Sequence, residues 1–173
     1  QNAERLLEIL KEEDYSTNFT VWDSPLSLLF YQSKRIDSSQ LKDSFYEDLL
    51  DKGVLTQEKG MVYAIVRVVC FEKFFFIVDS PHIASTGGIS HFHSNKEGMY
   101  GFVGDDGLML LNYVIKGMRT DRYQKGLDIG TGSGLIGISL SPWFDSIVGV
   151  DIMEPAINWA QLNKKINQVD GYF

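Results

Sequence analysis

The sequence predicts an α/β fold in which a parallel sheet of the nucleotide-binding type follows a small α+β domain. Two observations carry this prediction. An apolar run broken by one acid, Leu127-Asp128-Ile129, leads into glycines at alternate positions. After a helix-like segment, a second apolar run at 147–150 ends at another acid, Asp151. This order of elements, a strand, a glycine turn, a helix, a second strand and a carboxylate, is typical of a nucleotide-binding unit.

Composition limits the other classes of protein. The chain has 173 residues, of which 44% are hydrophobic, enough for one ordinary domain or two small ones. A net charge of -7 argues against a protein that binds nucleic acid over its whole surface, although it does not exclude a local basic patch. The single cysteine, Cys70, excludes an intramolecular disulfide and indicates a buried thiol in a reducing compartment. With no apolar run of about 18 residues and no signal-peptide pattern, we expect a cytoplasmic protein that contacts no membrane.

The N-terminal part, residues 1–95, has the pattern of a small α+β domain with a long loop. Ser24-Pro25 is a good helix start, and Gly53 is a good helix end. Three helices followed by a two-stranded ribbon resemble a winged-helix module. Its third helix is acidic, which makes it a poor reader of DNA. The predicted elements are helices at 2–13, 24–31 and 40–52, a polar turn at 56–60, and strands at 61–70 and 74–78.

A long irregular segment, 79–104, holds all three histidines, His82, His91 and His93. Such a loop suggests a lid or a binding loop. No third ligand lies at a metal-site spacing from His91 and His93, so we predict no metal site. A helix predicted at 108–118 follows this loop, and we place the second domain at 96–173.

The glycine turn itself fits two kinds of ligand. Glycine permits positive φ angles and lets a ligand touch the main chain. The helix that starts near Ser133-Gly134 would direct free amides at such a ligand. The spacing at 132–137 fits the dinucleotide pattern GxGxxG, and the spacing at 130–134 fits the pattern GxGxG. A turn that binds nothing is the remaining alternative.

The two acids help to choose between these ligands. A carboxylate at Asp128 would face the pyrophosphate of a dinucleotide, which is electrostatically unfavourable. The same carboxylate suits a ligand with an ammonium group and a sulfonium centre, and S-adenosylmethionine (SAM) has both. Asp151 suits ribose hydroxyls in either case.

These motifs resemble a known family. LDIGTGSGLIGISL and VGVDIMEPAINWAQLNKKIN are similar to motif I and the following strand–helix unit of class I SAM-dependent methyltransferases. The similarity is greatest to the branch that contains the release-factor glutamine and small-domain RNA guanine methyltransferases. The segment GFVGDDGLMLLNYV resembles the stretch that precedes motif I. The resemblance implies the N-terminal part of a Rossmann-like methyltransferase sheet, with SAM as cofactor.

The resemblance also implies roles for individual residues. Asp128 and the backbone of the turn would hold the methionine moiety, Asp151 the ribose, and Ile152 the adenine. Met153 departs from the branch, which usually has a helix-capping residue there. The predicted cofactor-binding residues are Asp128, Gly130, Thr131, Gly132, Gly134, Asp151 and Ile152.

By the same resemblance, about five further strands would complete the sheet. An Asn-Pro-Pro-Tyr type motif would hold the acceptor nitrogen, and the chain contains no such motif. We therefore expect a fragment that is inactive alone, with its catalytic residues beyond Phe173. The function implied is SAM-dependent N-methylation of protein glutamine, as in release factors, or of an RNA base. The alternative is a non-catalytic module that binds nucleic acid or protein and has a methyltransferase-like scaffold.

Overall fold

A computed structural model describes residues 24–41, 44–80, 101–119 and 122–170. The predicted helix at 2–13 and the three histidines lie outside these ranges. Two compact units make up the chain. The first contains Gln1–Val68 and Asp79–Met99, and the second contains Val69–Val78 and Tyr100–Phe173.

The helical start predicted at Ser24-Pro25 is confirmed. The Ser24 hydroxyl accepts a hydrogen bond from the amide of Ser27 at 3.1 Å, as a helix cap does. The segment Ser27–Tyr31 that follows is π-helical, and its Leu29 and Phe30 are fully buried.

The next helix is shorter than predicted. Asp37 accepts from the amide of Ser39 at 2.9 Å and holds 38–40 in a 3-10 turn, while helix α1 covers Ser44–Asp51. Gly53 ends α1 as predicted, with a φ of +67° and its amide donating to the Leu50 carbonyl at 2.9 Å. This is the left-handed helix end that favours glycine.

Three short strands form an antiparallel sheet in the first unit: β1 (Ile36–Asp37), β2 (Leu55–Glu58) and β3 (Met61–Ala64), in the order β1-β3-β2. Lys59 and Gly60, both with positive φ, make a two-residue hairpin turn. The predicted polar turn at 56–60 is therefore mostly strand β2. Its polar composition concealed it: within the described ranges β2 lies at the edge of the sheet, paired with β3, and exposes Gln57 and Glu58.

A second hairpin consists of β4 (Val66–Phe71) and β5 (Phe74–Asp79). The strand predicted at 61–70 is thus two strands, β3 and β4, separated at Ile65. Five successive residues of β5, from Phe74 to Val78, are buried.

Residues 69–78 of this hairpin belong to the second unit. The sequence analysis, which divided the domains between residues 95 and 96, had placed them in the first domain. The reason is long-range packing, since hairpin side chains share one core with residues 103–147. The core of the second unit contains Val69, Phe74, Phe76, Val78, Val103, Leu111, Leu135, Ile138, Leu140 and Ile147.

Helix α2 (Asp105–Gly117) packs on this core along the predicted stripe. Leu111 is fully buried, and Leu108, Val114 and Ile115 are partly buried against the core. The helix begins three residues before the predicted start. Two acids in its first turn favour that position, because they interact with the positive end of the helix dipole.

The predicted strand–turn–helix–strand–helix unit is present. Strands β6 (Tyr123–Ile129) and β7 (Phe144–Val150) pair in parallel, helix α3 (Leu135–Leu140) lies between them in sequence, and helix α4 (Glu154–Ile166) follows. One face of the strand pair is turned to α3. On the other face Leu127 and Ile129 are 63% and 78% exposed within the described part of the chain. In the described ranges, no helix is both long and apolar enough to span a bilayer.

Cys70, in strand β4, should react slowly with alkylating reagents. Burial raises the pKa of its thiol to about 12, so the reactive thiolate is scarce at pH 8 and increases as the pH rises toward that value. We expect alkylation by iodoacetamide at pH 8 to be at least about tenfold slower in the native protein than in urea, measured by mass spectrometry. Equal rates in the two conditions would contradict the burial of this thiol.

Candidate ligand-binding site

Two carboxylates and the glycine turn lie together at one edge of the β6–β7 strand pair. Asp128 is the next-to-last residue of β6, and Asp151 directly follows β7. Because parallel strands end at the same edge of a sheet, both acids lie at the turn 130–134 that connects β6 to α3. This is the position at which open α/β sheets bind ligands.

Asp128 holds the turn against the start of helix α3. Its Oδ2 accepts hydrogen bonds from the Thr131 hydroxyl at 2.8 Å and from the Gly137 amide at 3.1 Å. Thr131 is buried, and Asp128 is half-buried. The other carboxylate oxygen, Oδ1, accepts no hydrogen bond from residues in the described ranges. Asp128 therefore stabilises the turn with one oxygen and has the other available for a donor.

Asp151 binds the same turn from the end of β7. Its Oδ2 accepts from the Gly132 amide at 3.0 Å, and its Oδ1 accepts from the Met153 amide at 2.9 Å. Met153 makes no side-chain cap for helix α4, as the sequence predicted, and Asp151 satisfies its amide instead. Each carboxylate oxygen keeps a further lone pair, so Asp151 can still accept from a hydroxyl.

Most backbone amides of the turn donate hydrogen bonds to other groups of the protein. Those of Gly130 and Thr131 both donate to the Val150 carbonyl, at 2.8 and 3.0 Å, and that of Gly134 donates to the Thr131 carbonyl at 2.8 Å. Two further amides of the turn and of helix α3 bind the carboxylates. The sequence predicted amides free for a ligand, but these five are not. A phosphate site needs such donors free, so this arrangement disfavours a phosphate group.

The three glycines of the turn serve two purposes. Gly130, Gly132 and Gly134 have φ angles of +74°, +54° and +82°, which other residues rarely adopt. A Cβ at Gly130 or Gly132 would meet no atom within 4 Å, so a ligand can approach the backbone there. A Cβ at Gly134 would lie 2.8 Å from Ile138 Cδ1 and 3.3 Å from Ala160 Cβ, so this glycine allows close helix packing.

The remaining predicted residue, Ile152, follows Asp151 and is 97% exposed. Hydrogen bonds thus bring together the carboxylates and the turn backbone, and Ile152 lies next to them in sequence with its apolar side chain uncovered. In the described part of the chain, no group of three or more His, Cys, Asp or Glu is arranged to hold a metal ion.

The sequence analysis missed Asn163, which belongs to the support of this site. This fully buried side chain on α4 donates to the Ser133 carbonyl at 3.0 Å, between two of the glycines. A signal for it was present. Asn163 follows Ala156 and Ala160 at helical spacing, so a polar residue occupies the buried face of the predicted helix.

Comparisons with known proteins find similarity to methyltransferases. Residues 108–173, less than half of the chain, match the family described as ribosomal protein L11 methyltransferase (PrmA). The tRNA (uracil-5-)-methyltransferase homolog B of Danio rerio is 42% identical over 43 residues, which are 25% of this chain and 9% of the relative. A structure of Pyrococcus abyssi tRNA (uracil-54, C5)-methyltransferase in complex with S-adenosyl-L-homocysteine is also similar. The aligned region covers 66% of this chain and 24% of the chain of that structure. Its identity is 20% and its TM-score 0.43.

The matched segments are short relative to these proteins, since this chain spans 9% and 24% of the two tRNA methyltransferases. The family match and the motifs together support a SAM-dependent methyltransferase at the level of the class, with SAM as cofactor. The branch predicted from the sequence and the winged-helix extension stay predictions.

Proposed function

We propose that the second unit forms the SAM-binding part of a SAM-dependent methyltransferase. The observation that carries the proposal is the pair of carboxylates, Asp128 and Asp151, which both accept hydrogen bonds from a glycine turn whose amides mostly donate within the protein. Two anionic groups and few free amides suit a cationic ligand with hydroxyl groups. SAM is such a ligand, and when bound it supplies an activated methyl group.

The residues of the site fit the parts of SAM. The Oδ1 atom of Asp128 is available to accept from the ammonium of the methionine moiety. Asp151 keeps lone pairs for ribose hydroxyls, and exposed Ile152 offers an apolar surface to adenine. Gly130 and Gly132 let the ligand approach the main chain. This chain's part in the reaction is to bind and orient the methyl donor.

A dinucleotide fits less well, although the spacing at 132–137 permits it. Its pyrophosphate would meet the Asp128 carboxylate and would find the amides of Gly130, Thr131 and Gly132 already bonded. The structure therefore favours SAM over NAD on electrostatic grounds.

For the methyl acceptor, we propose an RNA base; the nitrogen expected from the sequence stays a prediction, because the tRNA methyltransferase relative is named for position 5 of uracil, a ring carbon. The relative that is 42% identical over 43 residues is named as a tRNA methyltransferase, which favours RNA. The matched family is named for a ribosomal protein, so a protein acceptor, including the glutamine side chain expected from the sequence, is the second candidate. Incubation with tritiated SAM and either bulk tRNA or ribosomal protein distinguishes them by which fraction is labelled.

The first unit is proposed to contact that acceptor. Strand β1, helix α1 and the hairpin β2–β3 follow one another along the chain, with a sheet order of β1-β3-β2, which supports the winged-helix-like prediction. Helix α1 has Glu47, Asp48 and Asp51 exposed, so we do not assign nucleic-acid contact to it. If the second unit fails to bind SAM, the alternative of a non-catalytic binding module takes precedence.

The test is binding of SAM to the protein, with NAD as the control ligand. We expect SAM at a hundredfold excess over Kd to stabilise the protein by about 2.7 kcal/mol, measured by thermal unfolding, and NAD to give no stabilisation. Stabilisation by NAD alone, or by neither ligand, would reject the proposal.

Asp151→Ala should lower the SAM affinity about tenfold or more, because hydrogen bonds to a charged group contribute roughly 1.5–3 kcal/mol. Asp145→Ala is the matched control. Asp145 lies near the opposite end of β7 and makes an exposed ion pair with Arg122, which contributes little. Titration calorimetry of both variants provides the comparison, and an equal loss of affinity in the two would assign no special role to Asp151.

A further inference from the structure

Two asparagines, Asn163 on helix α4 and Asn167 directly after its end, bind the backbone of strand β5. The Asn163 Oδ1 accepts from the Ile77 amide at 2.8 Å, and its Nδ2 donates to the Ile77 carbonyl at 3.0 Å. One helical turn later, Asn167 binds Phe75 in the same way, at 2.9 Å and 2.6 Å. Alternate residues of a strand direct their N–H and C=O groups to the same side, so the two side-chain amides take the place of a neighbouring strand.

The two asparagines differ in their third hydrogen bond. The Asn163 Nδ2 also donates to the Ser133 carbonyl at 3.0 Å, whereas the Asn167 Nδ2 also donates to the Asn163 carbonyl at 2.8 Å. Asn163 is fully buried, and Ser133 is 2% exposed. Asn163 therefore connects the hairpin to the glycine turn, whereas the side-chain hydrogen bonds of Asn167 within the described residues go to the hairpin and to helix α4.

The turn depends on such a support. Three of its residues, Gly130, Gly132 and Gly134, have positive φ, and glycine has the widest choice of backbone conformations. Hydrogen bonds that Asp128 and Asp151 accept from Thr131 and Gly132 fix the turn on the side of the strands. The bond from Asn163 to Ser133 fixes the same turn on the side of α4 and of strand β5.

We propose that Asn163 is a positioning residue for the cofactor site: by holding Ser133 against strand β5, it keeps the glycine turn in its binding conformation. The inference rests on the proposed function, since the turn is taken to bind SAM. It adds that the hairpin of residues 69–78, which is distant in sequence, sets the affinity for the cofactor through one side-chain amide.

The two asparagines provide a matched pair of variants, Asn163→Ala and Asn167→Ala. Each substitution removes three side-chain hydrogen bonds, two of them to β5. We expect the SAM dissociation constant, measured by calorimetry well below both unfolding temperatures, to rise about tenfold in Asn163→Ala and less than twofold in Asn167→Ala. Equal increases of the dissociation constant in the two variants would show that Asn163 only stabilises the fold.

A ligand-free measurement separates this inference from the proposed function. In ¹⁵N-labelled protein without SAM, we expect the amide resonances of Gly132 and Gly134 to shift in Asn163→Ala and to stay in place in Asn167→Ala. Unshifted resonances in both variants would overturn the positioning role. Failure of the wild-type protein to bind SAM would instead reject the proposed function, and the resonance comparison would still decide the role of Asn163.

Hydrogen exchange in the wild-type protein requires no variant. The Ile77 amide donates to Asn163, and the Phe75 amide donates to Asn167. If the turn and the hairpin are connected through Asn163, saturation with SAM should slow exchange at Ile77 more than at Phe75. Equal protection of the two amides would contradict the proposal.

Discussion

Replacing Asp128 by asparagine is expected to weaken SAM binding about 30-fold, since a charge-assisted hydrogen bond contributes roughly 1.5–3 kcal/mol. The Oδ2 atom of Asp128 accepts from two donors, on Thr131 and Gly137. The carbonyl oxygen of the asparagine should keep that position, which puts its NH₂ group where Oδ1 was. A donor then faces the ammonium of the ligand in place of an anionic acceptor.

Adenosine provides the control, because it lacks the methionine moiety. Calorimetric titrations should show that Asp128→Asn weakens binding of SAM alone, whereas Asp151→Ala weakens binding of SAM and adenosine alike. Thr131→Val, which removes one hydrogen bond of the turn and leaves the carboxylate, tests whether the loss comes from the turn. If Asp128→Asn weakened adenosine as much as SAM, the assignment of Asp128 to the ammonium would be wrong.

Gly134→Ala should destabilise the protein by about 3 kcal/mol, a large part of the usual stability of a domain. A left-handed backbone costs an alanine about 1–2 kcal/mol, and forcing a methyl group into a packed core adds about 1–3 kcal/mol. At Gly134, with a φ of +82°, that methyl would lie 2.8 Å from Ile138 Cδ1 and 3.4 Å from the Ala160 backbone. Urea unfolding followed by circular dichroism measures the change.

Gly130→Ala is the matched control. Its φ of +74° imposes a similar strain, but no atom lies within 4 Å of the added methyl, so we expect a loss of only about 1–2 kcal/mol. Adding Ile138→Val, which deletes the methyl group closest to the new side chain, should restore part of the stability lost in Gly134→Ala. Equal losses in the two glycine variants would show that packing of α4 against the turn contributes nothing.

The parts of the site that could be predicted are those encoded by neighbouring residues. Asp128 and Asp151 were predicted because an acid at the end of an apolar run lies at the end of a strand, and the glycine spacing marks the turn between them. The turn, both carboxylates and the strand pair all lie between residues 123 and 151. Local spacing therefore determines their arrangement.

The parts that could not be predicted depend on contacts between distant residues. Ile77 and Asn163 are 86 residues apart, and no local pattern in either segment shows that they pair. The same applies to residues 69–78, whose apolar side chains fit a small N-terminal domain as well as the core that they join. Strand β2 was missed for another reason: its exposed polar side chains resemble those of a turn.

The pair Asn163 and Asn167 has a consequence for the protein in solution. An unpaired strand edge with a row of apolar side chains can recruit a strand from another molecule and so begin aggregation. The buried side chains of Phe75 and Ile77 would make β5 such a template if its outer backbone groups were open. Asn163 and Asn167 occupy those groups and so keep β5 from pairing with a foreign chain, and Asn163 supports the glycine turn as well.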